Sequence, residues 1–160
     1  MNAGGVLIGV SKGYLVCAGI ALLVFGLMKV TSHSEFLSVI ESHGLAGDGL
    51  AVAVSWAVPL AEIAVGLMVV WGVSTSQHAA SVSAVALTML LAAMTLYAAT
   101  LSANPPPAPV RCGCMPGSAP VESWWPVTLR NGLCTAVAGV TARILQGPRR
   151  IVKPREIMTA

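Results

Sequence analysis

Residues 78–101 read HAASVSAVALTMLLAAMTLYAATL, a run that holds no Lys, Arg, Asp or Glu from end to end. A helix needs about 20 predominantly apolar residues to cross the hydrocarbon core of a bilayer, and this stretch supplies them. Working outward from it, three more apolar blocks appear: Gly13 to about Val30, Leu50 to Trp71, and Val127 to Leu145. The chain has 160 residues, 56% of them hydrophobic and 9% charged, with a mean hydropathy of +0.80. Soluble domains carry about 25% charged residues, so this composition cannot clothe a water-facing surface. The pattern predicts an all-α protein, a membrane domain over residues 1–146 with helices at about 13–30, 50–71, 78–101 and 127–145. A basic tail over 147–160 follows.

The first block resembles a secretory signal, but it is long for one and Met28-Lys29-Val30-Thr31 offers no small-residue cleavage site. It reads as a retained helix. The fourth is the most polar, with Arg130 and Arg143 inside its ends, where both can snorkel toward headgroups. Four crossings place both termini on one side. Lys12, Arg143, Arg149, Arg150, Lys153 and Arg155 gather there, whereas the opposite side carries Lys29, Arg111 and Arg130 but also Glu35, Glu41, Asp48 and Glu122. Basic loops stay cytoplasmic, so both termini are expected inside, in a bacterial inner membrane. The basic tail reads as a topology signal, and no nucleic-acid partner is expected. Aromatic residues should mark the interfaces: Tyr14 and Trp71 the inner, Tyr97, Trp124 and Trp125 the outer. Phe36, Leu37, Val39 and Ile40 among polar neighbours predict a short amphipathic helix on the outer surface over Ser34–Ser42.

Small or polar residues recur at helical spacing in each span. They are Gly19 and Gly26; Ser55, Pro59, Glu62 and Gly66; Ser81, Ala84, Thr88, Ala92 and Thr95; and Arg130, Cys134, Ala138 and Thr141. Such stripes let helices approach closely in lipid, and a four-helix bundle follows.

Chemistry concentrates between the third and fourth spans. Prolines 105–107 and Pro109 stiffen a loop that delivers Cys112-Gly113-Cys114 to the outer face. That compartment is oxidising in bacteria. Closing a ring between cysteines one residue apart demands a tight bend, which glycine permits. Arg111 favours the thiolate. Three readings stand: an exchange-active redox pair, a structural disulfide that pins the loop, and a soft Cu(I) or zinc cluster of Cys112, Cys114 and Met115 with His33 and His43. Against the last, both histidines are expected to be solvated loop residues. Glu62 is the only charge in the second span, about 18 Å along a helix rising about 1.5 Å per residue. An ionisable group at that depth marks function by default. It can be protonated, or paired with Lys29 or Arg130. It serves either as a bundle-stabilising contact or as a proton relay or contact for the headgroup of a quinone cofactor. Cys134, about two turns below the outer surface, is a candidate thiol relay or an inert small hydrophobe. Cys17 lies near the inner end. No nucleophile triad, phosphate loop, haem motif or metalloprotease motif occurs.

The ordered set Gly26-Leu27-Met28-Lys29, Pro59-Leu60-Ala61-Glu62-Ile63-Ala64-Val65-Gly66, Cys112-Gly113-Cys114 and Leu129-Arg130-Asn131 resembles the MauE/DoxX family of redox-associated membrane proteins, on its methylamine-utilisation side. The resemblance covers about Gly13 to Leu145. It implies a four-helix inner-membrane protein that supports maturation of a disulfide-rich periplasmic dehydrogenase beside a thioredoxin-like partner. By the same resemblance, Lys29, Glu62, Cys112, Cys114, Arg130 and Asn131 are the positions that matter. Where the family usually reads Cys-Gly-Cys-Phe-Gly, Met115 and Pro116 precede Gly117 here, which alters the bend after the pair. The leading expectation is a membrane thiol-disulfide protein, oxidoreductase-like in its chemistry. Against it stand an accessory subunit of a larger membrane complex with a structural disulfide, and a metal-handling membrane protein.

Overall fold

The computed structural model describes residues 3–44, 47–113 and 118–147. Five helices and one short ladder follow in order: α1 Ala3–Thr31, α2 His33–Ser42, α3 Asp48–Thr75, α4 Gln77–Ala103, β1 Val110–Arg111, β2 Pro120–Val121 and α5 Trp125–Gln146. Segments Gly4–Thr31, Gly49–Thr75 and Gln77–Ala103 are long and apolar enough, by length and composition, to cross a membrane. α1 begins ten residues before the apolar block that predicted it. The polar step at Ser11-Lys12 contains no helix breaker, and Ser11 packs inside the bundle. The tail from residue 148 on lies outside the described residues.

α1 and α3 run antiparallel with their backbones close together. A side chain grown on Gly19 would meet the Gly66 carbonyl oxygen at 3.2 Å, and one on Gly66 would meet that of Gly19 at 2.8 Å. The two glycines are the reason the helices can touch. Pro59 sits within α3 on the same face and is fully buried. α3 turns into α4 through a single extended residue, Ser76, whose side chain accepts from the Ala79 amide at 3.1 Å and so caps α4. Ser83 locks the hairpin by donating to the Met68 carbonyl at 2.9 Å. α5 opens with Pro126 in its first turn, a position that tolerates the missing amide proton. It then lies antiparallel along the length of α4: Ser102 with Thr128 (2.9 Å) at one end, Thr95 with Thr135 (3.0 Å) midway, and Gln77 donating to the Leu145 carbonyl (3.1 Å) at the other.

The apolar core occupies the half of the bundle nearest the α3–α4 turn and is built from Leu15, Leu22, Val69, Leu87, Ala138, Leu145 and their neighbours. The other half is capped by α2, whose Phe36 and Ile40 pack on Ala51 of α3. The expected amphipathic helix is therefore present, with its apolar face against protein. Between β1 and β2, Val110 pairs Val121 and Arg111 pairs Pro120, giving the otherwise helical chain a small hairpin over this cap.

Three expectations need correction. On α5 the packed face is Thr128, Thr135, Ala138 and Ala142, whereas Arg130 and Cys134 of the expected stripe are exposed. Ala92 of the α4 stripe is likewise exposed. Small residues occur on more than one face of these helices, so spacing alone does not set their rotation. Among the interface aromatics, Trp71 and Trp125 do face outward (74% and 60% exposed), but Trp124 is buried, folded inward with Tyr97 onto a histidine.

Candidate functional site

Four segments converge at the capped end: the end of α1, α2, the middle of α3 and the β1 strand leading into the cysteines. Lys29, in the last turn of α1, donates to Glu62 Oε1 at 2.5 Å. Both side chains are almost completely inaccessible, at 4% and 2% exposure. Gly26, one turn earlier, creates the approach, since any side chain there would press on Ile63, the Pro59 carbonyl and Glu62 Cβ. The ammonium also lies 5.3 Å from the centre of the Phe36 ring, in cation–π range. Glu62 Oε2 is buried without a hydrogen-bond partner among the described residues. Of the two partners weighed for Glu62, Lys29 is the one in place. Arg130 instead reaches the side chain of Asn131, at 3.4 Å, on the exposed start of α5.

The cysteine segment also comes against the Phe36 ring. Gly113 has φ +71°, a left-handed conformation that L side chains disfavour. A Cβ there would stand 3.2 Å from Val39 and 3.4 Å from Phe36. The bend that follows Cys112 thus rests on α2. The Phe36 ring is near both this bend and the Lys29 ammonium of the buried ion pair. Arg111 fixes the strand from outside by donating to Glu35 Oε1 at 2.5 Å. Cys114 and Met115 lie outside the described residues.

His43 fixes the strand from beneath. It is 3% exposed, so the expectation of a solvated loop residue does not hold. Its Nε2 lies 2.9 Å from the Arg111 carbonyl and its Nδ1 2.6 Å from the Tyr97 hydroxyl. A carbonyl only accepts, so Nε2 carries the proton and Nδ1 accepts from Tyr97. Trp124 closes the pocket edge-on at 5.1 Å. Burial pushes the imidazole below its ordinary value of 6.5, partly offset by the bond to the Arg111 carbonyl. The neutral ring is therefore the form that fits. Its contribution to the cap is complete above pH 6.5 and declines as pH falls below it, where the unfolded cap takes up a proton more readily than the native one. Backbone amides over 118–124 are expected to exchange faster at pH 5 than at pH 7.5 after correction for intrinsic rates, and His43→Gln removes that difference.

His33 is packed as well. It stacks on Trp56 (4.0 Å between centroids) and lies 3.0 Å from Ser55 Oγ, which itself donates to the Val52 carbonyl. The candidate metal set is thus not assembled around these histidines. His33 turns to α3, both ring nitrogens of His43 are occupied, and among the described residues no three His, Cys, Asp or Glu side chains converge. Cys134 is exposed on α5, with its carbonyl accepting from Tyr14 at 3.3 Å, and Cys17 is exposed on α1.

The sequence does not reveal the parts that Phe36, His43, Tyr97 and Trp124 play here: it offers His43 as a candidate metal ligand or a solvated loop residue, and the others as helix-face or interface residues. They come from α2 and its cap, from α4 and from the start of α5, so no single spacing links them.

Comparison with known families places these features together. The family described as methylamine utilisation protein MauE matches residues 9–144, from the first turns of α1 to the last of α5. No curated protein and no solved structure matches. The match takes in every element that builds the site, and the chain belongs to the MauE family of multi-pass membrane proteins.

Proposed function

We propose that this protein is an inner-membrane thiol-disulfide exchanger. Its Cys112-Gly113-Cys114 segment would trade disulfides with an extracytoplasmic thioredoxin-like protein, in support of the maturation of periplasmic or membrane redox proteins. The observation that carries this reading is the seating of the cysteine bend: Gly113 is in a left-handed turn against Phe36, the ring that also lies in cation–π range of the Lys29 ammonium of the buried ion pair. A loop pinned only for structure has no need of a buried charge pair beneath it, and such a pair is costly to bury.

The reading includes four crossings with both termini inside. α5 has 22 residues, roughly 33 Å at about 1.5 Å per residue, and it accompanies α4 from one end to the other. A helix so paired spans the thickness that its partner spans. The orientation rests on the sequence count of Lys and Arg, which the basic stretch after Leu145 tips toward the side of the termini. At the cysteine end Lys29 and Arg111 each meet a carboxylate and Arg130 stands at the exposed start of α5. Quinone is the electron acceptor we assign to the exchanger, and Glu62 Oε2, buried without a hydrogen-bond partner among the described residues, is the atom to which its headgroup hydroxyl would donate after the bundle opens to admit it.

The test is a trap. With Cys114→Ser, Cys112 retains a mixed disulfide with its partner, and non-reducing electrophoresis of membranes should show an adduct that Cys112→Ser abolishes. Absence of any adduct, with a larger membrane complex assembling unchanged, would instead make the chain an accessory subunit with a structural disulfide.

A further inference from the structure

We infer that the groove between α4 and α5, at the end of the bundle away from the cysteines, seats one anionic phospholipid of the phosphatidylglycerol type. The inference is independent of the exchange reading, because neither the cysteines nor the ion pair takes part in it.

The groove has a volume of about 560 Å3 and is lined by Gln77, His78, Ser81, Val82 and Val85 of α4 with Leu145 and Gln146 of α5. Its depth in the membrane follows from the hairpin. α3 and α4 run antiparallel on either side of Ser76, so residues equally distant from Ser76 stand at similar levels, as the bond from Ser83 to the Met68 carbonyl bears out. Ser81 is thereby level with Trp71, which faces outward at 74% exposure as an interfacial aromatic does. Gln77 and His78 are exposed on the headgroup side of that level. Val82 and Val85, 49% and 40% exposed, continue on the hydrocarbon side. From Gln77 to Val85, about 12 Å of helix, the lining passes from polar to apolar. A phospholipid has the same order, a headgroup and then its chains. A soluble ligand has no use for the apolar half, and a hydrocarbon none for the polar half.

The polar half is a set of donors. Gln77 gives one amide proton to the Leu145 carbonyl at 3.1 Å, which ties the two helices together at the mouth, and it keeps a second. The His78 ring and the Gln146 carboxamide add further N–H groups. Phosphodiester oxygens accept from such groups, and glycerol hydroxyls pair with carboxamides as donor or acceptor.

Charge at this end has one sign. α1, α4 and α5 contain no Asp or Glu, and α3 contains only Asp48 and Glu62. Asp48 opens α3 at the far end. Glu62 stands 13 residues before the last residue of α3, about 20 Å of helix, and is paired with Lys29. The cations here are Arg143, two residues before Leu145, and Lys12, seven residues before the Gly19 that packs on Gly66. An ammonium headgroup would meet them with no carboxylate to hold it, whereas a headgroup of net negative charge is attracted. A lipid held there also fills the space beside Leu145 and braces the end of α5 against α4.

The experiment uses the full chain, delipidated in detergent. Phosphatidylglycerol or phosphatidylethanolamine of identical acyl chains is added, and bound lipid is counted by native mass spectrometry. The first phosphatidylglycerol should bind about five-fold or more tightly than the first phosphatidylethanolamine. His78→Asp sets a carboxylate at the mouth of the groove. An acid in the first turn of a helix is favourable, so this variant should fold normally and lose the preference. Val85→Trp, at a position already open to lipid, should occupy the groove and weaken phosphatidylglycerol binding by a similar factor. Equal affinity for the two lipids overturns the inference. So does a preference that survives His78→Asp, or phosphatidylglycerol binding that Val85→Trp leaves unchanged. If such a surviving preference disappears with Arg149→Gln, Arg150→Gln, Lys153→Gln and Arg155→Gln combined, the lipid belongs to the basic tail instead. Displacement of phosphatidylglycerol by an equal concentration of glycerol phosphate also overturns it, since that marks a site for soluble phosphate.

Discussion

Replacing Lys29 with Met is expected to lower the stability of the bundle by about 3–5 kcal/mol, the usual cost of removing one member of a buried ion pair. The loss comes less from the missing attraction than from what remains. Glu62 lies in mid-helix at 2% exposure, with Oε2 already lacking a hydrogen-bond partner among the described residues, so the carboxylate left behind is a buried charge without its ammonium. Glu62→Leu should cost less. Lys29 stands two residues from the end of α1, and a lysine at a helix end can direct its charge outward along its own stem. Combining Lys29→Met with Glu62→Leu should recover most of the loss, because an apolar pair of similar volume often equals or exceeds a buried salt bridge. Reversible unfolding in mixed micelles measures all three. A double variant as unstable as the Lys29→Met single would show that the pair adds stability outright. If the double variant folds yet fails to trap a partner through Cys112, the pair is retained for the chemistry at the cysteine bend.

The three long apolar helices were legible because composition and length decide them: runs with so little charge have few places to go except lipid. The close approach of α1 and α3 was legible too, since glycines are scarce enough on those faces for Gly19, Gly26 and Gly66 to stand out. α5 was harder. It is the most polar of the long helices, its alanines, threonines and glycines surround it, and the choice between the Thr128–Thr135 face and the Arg130–Cys134 face depends on a rotation that only its contact with α4 settles. The same uncertainty of phase left Lys29 and Arg130 as rival partners for Glu62.

The cap illustrates a different limit. His43 follows a surface helix and precedes a glycine, a context that ordinarily means solvent. It is buried because three segments fold over it, β1 from above, α4 from one side and the start of α5 from the other. Proline-rich sequence before Cys112 announced a stiff approach but not where it would land. Arg111 was read for its effect on the thiolate, whereas the structure turns its side chain to Glu35 and uses its carbonyl to orient His43. Long-range convergence of this kind leaves no local periodicity, and family resemblance marks such positions only where a motif names them.

Gly26→Leu is the second substitution expected to do serious damage, and it tests whether the helix contact and the ion pair are one device. Even a methyl at this position would sit 2.8 Å from Ile63 Cγ1 and 3.0 Å from the Pro59 carbonyl oxygen. Ile63 can rotate away, but the carbonyl is backbone, so α1 must move off α3. Overpacking of this sort costs about 1–3 kcal/mol, and a leucine lies at the upper end or beyond. The displacement acts one turn from Lys29, so it also stretches the contact with Glu62, whose Cβ is only 3.2 Å from the added carbon. Two residues that share a partner do not add independently. Gly26→Leu combined with Lys29→Met should therefore cost clearly less than the sum of the two single changes, by about 1 kcal/mol or more. Gly26→Leu placed on the Lys29→Met/Glu62→Leu background should keep only its steric share. Strict additivity across these variants would mean that the glycine serves packing alone, and that the ion pair tolerates a helix displaced beside it.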